Sequence, residues 1–227
     1  MTQSFNTQEL CGKLDKSRGY NMNTCSGLPV WPASPRAEDI RIEDITGALS
    51  RVCRYNGHLK DGHWLYDTDD ECTTRAWVHF EIYSVAQHSV LVEQKVREWS
   101  VNESCSADYS SNHLLLAALL HDAHEYVLGD MVKPQKLMYK ERKTYETKWD
   151  DRIAERFGFS ADLFDHPAIK EADYRIFLTE KRDLVNCKET DFGVAKAEPY
   201  PERIVPVLPS AARRMFMDRF NQLYKGE

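Results

Sequence analysis

A chain of 227 residues with 42% hydrophobic content is long enough to bury a core of its own and fits one globular unit. Its formal net charge of −6 excludes a broad, sequence-independent grip on a nucleic-acid polymer, which depends on clustered Lys and Arg releasing counterions. A small anionic ligand remains compatible, because a few cations at one cleft bind a phosphate whatever the total charge.

No stretch approaches the roughly 18 consecutive apolar residues of a membrane-spanning helix, and Met1 to Glu9 has neither the charged nor the apolar region of a signal peptide. The expectation is a soluble, cytoplasmic protein with no membrane partner. Six cysteines, Cys11, Cys25, Cys53, Cys72, Cys105 and Cys187, form no CxxC pair or regular framework, so reduced thiols are expected. Thr24 to Pro35, with Gly27, Pro29, Pro32 and Pro35, reads as an ordered lead-in loop; residues 1–37 form the lead-in and 38–227 the domain. From Glu38, the spacing of Ile42, Ile45, Leu49 and Val52 predicts an amphipathic helix that Tyr55-Asn56-Gly57 ends. Leu59 to His79 is polar and interrupted by Gly62, and reads as an insertion at about 59–79.

A second helix carries Ile82, Val85, Val92, Val96 and Trp99 on one stripe, before a break at Val101 to Asn112. The third, from about His113, is apolar around its circumference from Leu114 to Leu120 and belongs at the centre of a core. Beyond Gly129 and Pro134, helices are predicted over Lys136 to Phe157, Ala168 to Val185 and Pro209 to Tyr224. The class is all-α, with any strand minor and local.

Chemistry begins where polar groups interrupt the apolar pattern. His121 and Asp122 directly follow the leucine run, and continued helical spacing would put Glu125 one turn beyond His121 on the same face. Asp173 falls inside the stripe of Ile169, Ala172, Ile176, Phe177 and Leu184, and His88 lies among Val85, Val92 and Ser89. A single inward His or Asp is more often a hydrogen-bonded core residue or cap. Inward carboxylates and imidazoles together need compensation, either by hydrogen bonds or by a cation, and a metal ion would serve as both. Imidazole nitrogen with carboxylate oxygen suits Co, Mn, Zn, Fe or Ni, with Mg also compatible. The spacing of Cys53, His58, His63, Cys72 and His79 matches no zinc pattern.

At these residues the sequence resembles the HD phosphohydrolase superfamily, whose signature is a His, an adjacent His-Asp pair and a distant Asp. Five stretches resemble its YfbR-like 5'-deoxynucleotidase branch more closely: Ile42-Glu43-Asp44-Ile45 with Ala48-Leu49-Ser50, Cys53 to His58, Tyr83 to Ser89, His121 to Glu125, and Ala172 to Arg175. The resemblance covers Thr24 to about Leu184. It implies an HD-domain helical bundle with a short irregular or β-hairpin lead-in, and a metal held by His88, His121, Asp122 and Asp173. It also implies catalysis by Glu125 and Asp130, and phosphate contact by Arg54 or, second, Arg51, with Tyr83, Lys133 and Lys136 as further substrate contacts. Relatives pass almost directly from Gly-His to Tyr-Ser-Val-Ala, so the insertion sets this chain apart, as a lid or a subunit contact. A homo-oligomer, dimer or larger, is implied by resemblance.

The leading expectation is metal-dependent hydrolysis of a deoxynucleoside 5'-monophosphate. The alternative is a triphosphohydrolase like the viral DatZ group, which strips triphosphate from dATP; the released product separates the two. The HD-GYP branch fits poorly, because Arg18-Gly19-Tyr20 is not followed by Pro and lies far upstream. A catalytically silent nucleotide-binding regulatory module is the reading from another class, and a ligand-free helical scaffold leaves two inward Asp residues unexplained.

Overall fold

Leu114 to Leu120 are buried on every side, and the other helices are laid around them. A computed structural model describes residues 14–66, 75–79, 82–102, 111–187 and 197–225. Met1 to Lys13, the middle of the insertion and most of the break at Val101 to Asn112 lie outside the described residues, as do Cys11, Cys72 and Cys105. The helices are α1 (Ile42–Leu49), α2 (Val85–Asn102), α3 (Ser111–Leu120), α4 (Glu125–Leu128), α5 (Lys133–Lys136), α6 (Arg142–Phe157), α7 (Pro167–Leu184) and α8 (Pro209–Leu223). Strands occur only as three short antiparallel pairs among the described residues: β1 (Leu14–Asp15) with β2 (Gly19–Tyr20), β3 (Met22–Asn23) with β4 (Pro29–Val30), and β5 (Gly62–Tyr66) with β6 (Arg75–His79).

The α2 helix packs against α3, α7 and α8, and α8 also closes over α3 and α1. Glu93, fully buried on α2, accepts from Arg219 Nε on α8 at 2.9 Å, a buried ion pair between two core helices. The Gln87 amide donates to Val205 O at 2.8 Å and accepts from Val207 N–H at 2.9 Å, anchoring the segment before α8 to the turn of α2 that carries His88. The lead-in is tied down by polar contacts: Ser26 N–H and Oγ donate to Asp44, and Trp149 Nε1 donates to Pro32 O at 3.0 Å. Val30 of β4 is fully buried in the core.

Three boundaries differ from the sequence expectation. The first helix is shorter: a 3₁₀ turn at Ala37–Asp39 precedes α1, and α1 ends at Leu49 because Arg51 and Val52 both bond to Ala48 O. The expected long helix over Lys136 to Phe157 begins only at Arg142, as α6, and the short α5 ends at Lys136 where it was expected to start. Its ladder gives way to three-residue bonds at Met138 and Tyr139, and the consecutive apolar residues Leu137, Met138 and Tyr139 remain exposed, having no helical face to bury. The insertion, read from sequence without a secondary structure, holds a hairpin of five-residue strands in which Trp64 pairs with Trp77 in register, and its aromatic residues favour strand.

Replacing Leu119, fully buried on α3, by Ala should lower the unfolding free energy by about 2–5 kcal/mol. Denaturant titration should show a lower midpoint with an unchanged slope; a change below about 0.5 kcal/mol would place Leu119 at the protein surface instead.

Candidate metal centre

Three backbone hydrogen bonds assemble the first wall of the site. Val85 N–H donates to Val52 O, Arg54 N–H to Tyr83 O and His88 N–H to Ser84 O, so the residues after α1 are stitched to the start of α2 and Arg54 comes beside His88. Between them, Tyr55 and Asn56 take left-handed φ values of 57° and 52°, a conformation that is unfavourable for residues with a Cβ. Asp130 steadies this turn by accepting Tyr55 N–H at 3.2 Å.

The second wall is the end of α3. The helix stops at Leu120, and His121 to His124 form a turn closed by Ala123 N–H to Leu120 O and Glu125 N–H to Asp122 O. The expectation that Glu125 shares a helix face with His121 is therefore corrected. In a three-residue-per-turn geometry residues three apart line up, so Glu125 groups with Asp122 and begins α4.

Four donors converge between these walls. His88 Nε2 lies 3.3 Å from His121 Nε2, 3.1 Å from Asp173 Oδ1 and 3.6 Å from Asp122 Oδ2. His121 Nε2 lies 3.3 Å from Asp122 Oδ2 and 3.9 Å from Asp173 Oδ1. Asp173 was expected to point into the core; its side chain is 41% exposed, against 0% for His88, so it forms the open rim of a site whose floor is sealed.

The tautomers test whether a cation fits. His121 Nδ1–H donates to Ala118 O at 2.9 Å, and His88 Nδ1–H donates to Glu180 Oε1 at 2.6 Å. Both Nδ1 protons are thereby committed, and two Nε2 lone pairs face each other. A neighbouring carboxylate or carbonyl on Nδ1 is the arrangement that fixes an imidazole for metal ligation. A proton on one Nε2 relieves the conflict without a metal. Burial and Arg54 oppose it, yet Glu180 and Asp173 lift His88 to about 9. Either way positive charge must occupy this point, and the described residues include a His and Asp group able to hold a metal ion.

Glu180 is the residue of the candidate site that sequence reasoning missed. Fully buried on α7, it accepts His88 Nδ1–H, the hydroxyls of Tyr83 (2.8 Å) and Tyr55, and Arg54 Nε and Nη2 at 3.3 Å. Burial would raise its pKa, but Arg54 and His88 outweigh that and hold it at about 2. Arg54 also reaches Asp122 Oδ2 at 3.4 Å, so one guanidinium spans the supporting carboxylate and a candidate ligand. Burial pushes the Asp122 carboxyl up, and His121, His88 and Arg54 together hold it well below the usual range.

The remaining predicted residues divide. Glu125 is buried beside Asp122, and burial, then the charges of Asp122 and Asp130, push its pKa well above the usual value. Lys136 lies 4.0 Å from Glu125 and 3.4 Å from Glu146, at the edge of the site. Lys133 is exposed at the start of α5. Tyr83, read as a substrate contact, has no exposed surface and spends its hydroxyl on Glu180. Arg51, the second choice for phosphate, donates to Gly47 O at 2.6 Å and lines a separate cavity of about 620 Å³ with Cys25, Ser26, Glu43 and Arg213.

Fold and site together define a helical protein with a buried His/Asp cluster of metal-ligand type. No protein-family model matches the sequence. The chain is 31% identical over 204 residues to the uncharacterized protein YfdR of Escherichia coli K12, covering 89% of this chain and 94% of that relative, and it belongs to the YfdR family. It is also 35% identical over 183 residues to the uncharacterized protein RCAP_rcc00048 of Rhodobacter capsulatus, covering 78% and 79% of the two chains.

Glu180→Ala should destabilise the metal-free protein by about 3–5 kcal/mol, because Arg54 and His88 are left buried without their partner. The pH dependence follows from the two shifts. Glu180, depressed from 4.5 to about 2, contributes stability above pH 4.5 that is lost as pH falls toward 2. His88, raised from 6.5 to about 9, contributes below pH 6.5 and loses that contribution as pH rises through 9. Denaturant midpoints of the metal-free chain should therefore plateau between about pH 4.5 and 6.5, and Glu180→Gln should flatten the acid limb. An unchanged acid limb in that variant would remove Glu180 from the network.

Proposed function

We propose that this protein is a metal-dependent phosphohydrolase of the HD type, acting on the phosphate ester of a small nucleotide, with a deoxynucleoside 5'-monophosphate as the substrate. The observation that carries the reading is the pair of Nε2 lone pairs 3.3 Å apart, flanked by Asp122 and Asp173 and open to solvent on the Asp173 side. A sealed structural ion would have no such rim.

His88, His121, Asp122 and Asp173 hold the cation. A divalent ion of the Mn, Co, Zn, Fe or Ni kind held there would supply Lewis-acid chemistry toward a phosphoryl oxygen and water. Arg54, kept cationic by Glu180 and Asp122 despite burial, presents a fixed guanidinium to the phosphate and offsets the charge that develops as the P–O bond breaks. Glu125, whose carboxyl is pushed well above its usual pKa by burial and then by the charges of Asp122 and Asp130, orients the attacking water and accepts its proton. Asp130 holds the Arg54–Gly57 turn in place through Tyr55 N–H.

The chain, stripped and reloaded with Mn, Co, Zn or Mg, should release inorganic phosphate from a deoxynucleotide panel; release of triphosphate from a dNTP would redirect the reading to the triphosphohydrolase. Asp122→Ala should lose both metal and turnover. Glu125→Ala should keep the metal at His88, His121, Asp122 and Asp173 and lower kcat by roughly 10²–10⁴-fold. Full metal retention in an inactive Asp122→Ala protein would contradict the ligand assignment.

A further inference from the structure

Beside the first four ligands lies a second group of donors. The ligand atoms of Asp122, His124 and Glu125 all lie within 4.8 Å of one another. Two of the side chains carry an atom with no partner, His124 Nε2 and Glu125 Oε2, although the residues are only 5% and 2% exposed. A buried polar atom left unsatisfied costs about 1–3 kcal/mol, and two of them adjoin a carboxylate here. His124 repeats the pattern of His88: its Nδ1–H donates to Asp150 Oδ1 at 2.8 Å, so Nε2 presents a lone pair of fixed direction. Glu146 Oε1, at 3.8 Å from that nitrogen, is beyond hydrogen-bond distance. Lys136 Nζ approaches Glu125 from its other oxygen, Oε1, at 4.0 Å and leaves Oε2 unsatisfied.

We propose that Asp122, His124 and Glu125 form a second divalent-cation site adjoining the first, with Asp122 common to both. It rests on the phosphohydrolase reading for the first cation. One imidazole and two carboxylates make the second site richer in oxygen than the first, which favours Mn²⁺ over softer ions. Asp122 can serve two cations because a carboxylate has two oxygens, and Asp150 supports His124 as Glu180 supports His88.

The test is a Mn²⁺ titration of the chelator-stripped full chain, followed by calorimetry, metal analysis and electron paramagnetic resonance. The wild type should take up two equivalents and show a spin-coupled pair. His124→Ala, and the nearly isosteric Glu125→Gln should the former unfold, should bind one equivalent and show an isolated-ion spectrum. One equivalent in the wild type with hydrolysis intact would overturn the second site and leave the phosphohydrolase reading standing. No bound Mn²⁺ at all would overturn both.

Discussion

Two neutral imidazoles cannot hold their lone pairs 3.3 Å apart in a protein interior unless positive charge lies between or beside them. That constraint organises the site. His88 arrives from α2, His121 and Asp122 from the turn that follows α3 and Asp173 from α7, so three segments must be packed correctly before the donors meet. The apolar circumference of α3 makes this possible. Burying Leu114 to Leu120 on all sides fixes where the helix ends, and its end is where the polar residues begin.

Glu180 links this cluster to the phosphate-binding side of the proposed mechanism. A single buried carboxylate orients the His88 ring and neutralises Arg54, so ligand and guanidinium are positioned by the same group. Tyr55 and Tyr83 complete its hydrogen bonding, which lets a charge sit in a fully buried place. Removing Glu180 would disturb the candidate metal ligand His88 and the arginine together, and the two effects would not add as independent sites do.

The four candidate ligands were legible because each interrupts an apolar pattern, and Arg54 because it falls in a recognisable stretch. Glu180 was not, since Thr179-Glu180-Lys181-Arg182 reads as a solvated charged face. A signal was present: Glu180 is four residues from both Ile176 and Leu184, on the stripe that also carries Asp173. Asp173 was placed on the right face but at the wrong depth, because periodicity gives a direction and not the distance to solvent. The position of Glu125 depended on where α3 ends, and nothing in the residue types from His121 to His124 announces a change to three-residue turns. The β5–β6 hairpin was masked by its polar content, although Trp64 and Trp77 carry strand propensity.

The central claim is that a cation joins His88 and His121. Crystals of the Mn²⁺- or Zn²⁺-loaded protein, measured at the metal absorption edge, test it most directly. The account predicts an anomalous peak about 2.0–2.3 Å from both Nε2 atoms and from carboxylate oxygens of Asp122 and Asp173. A loaded crystal without a peak there, with the two rings joined through a proton or a water, would contradict it.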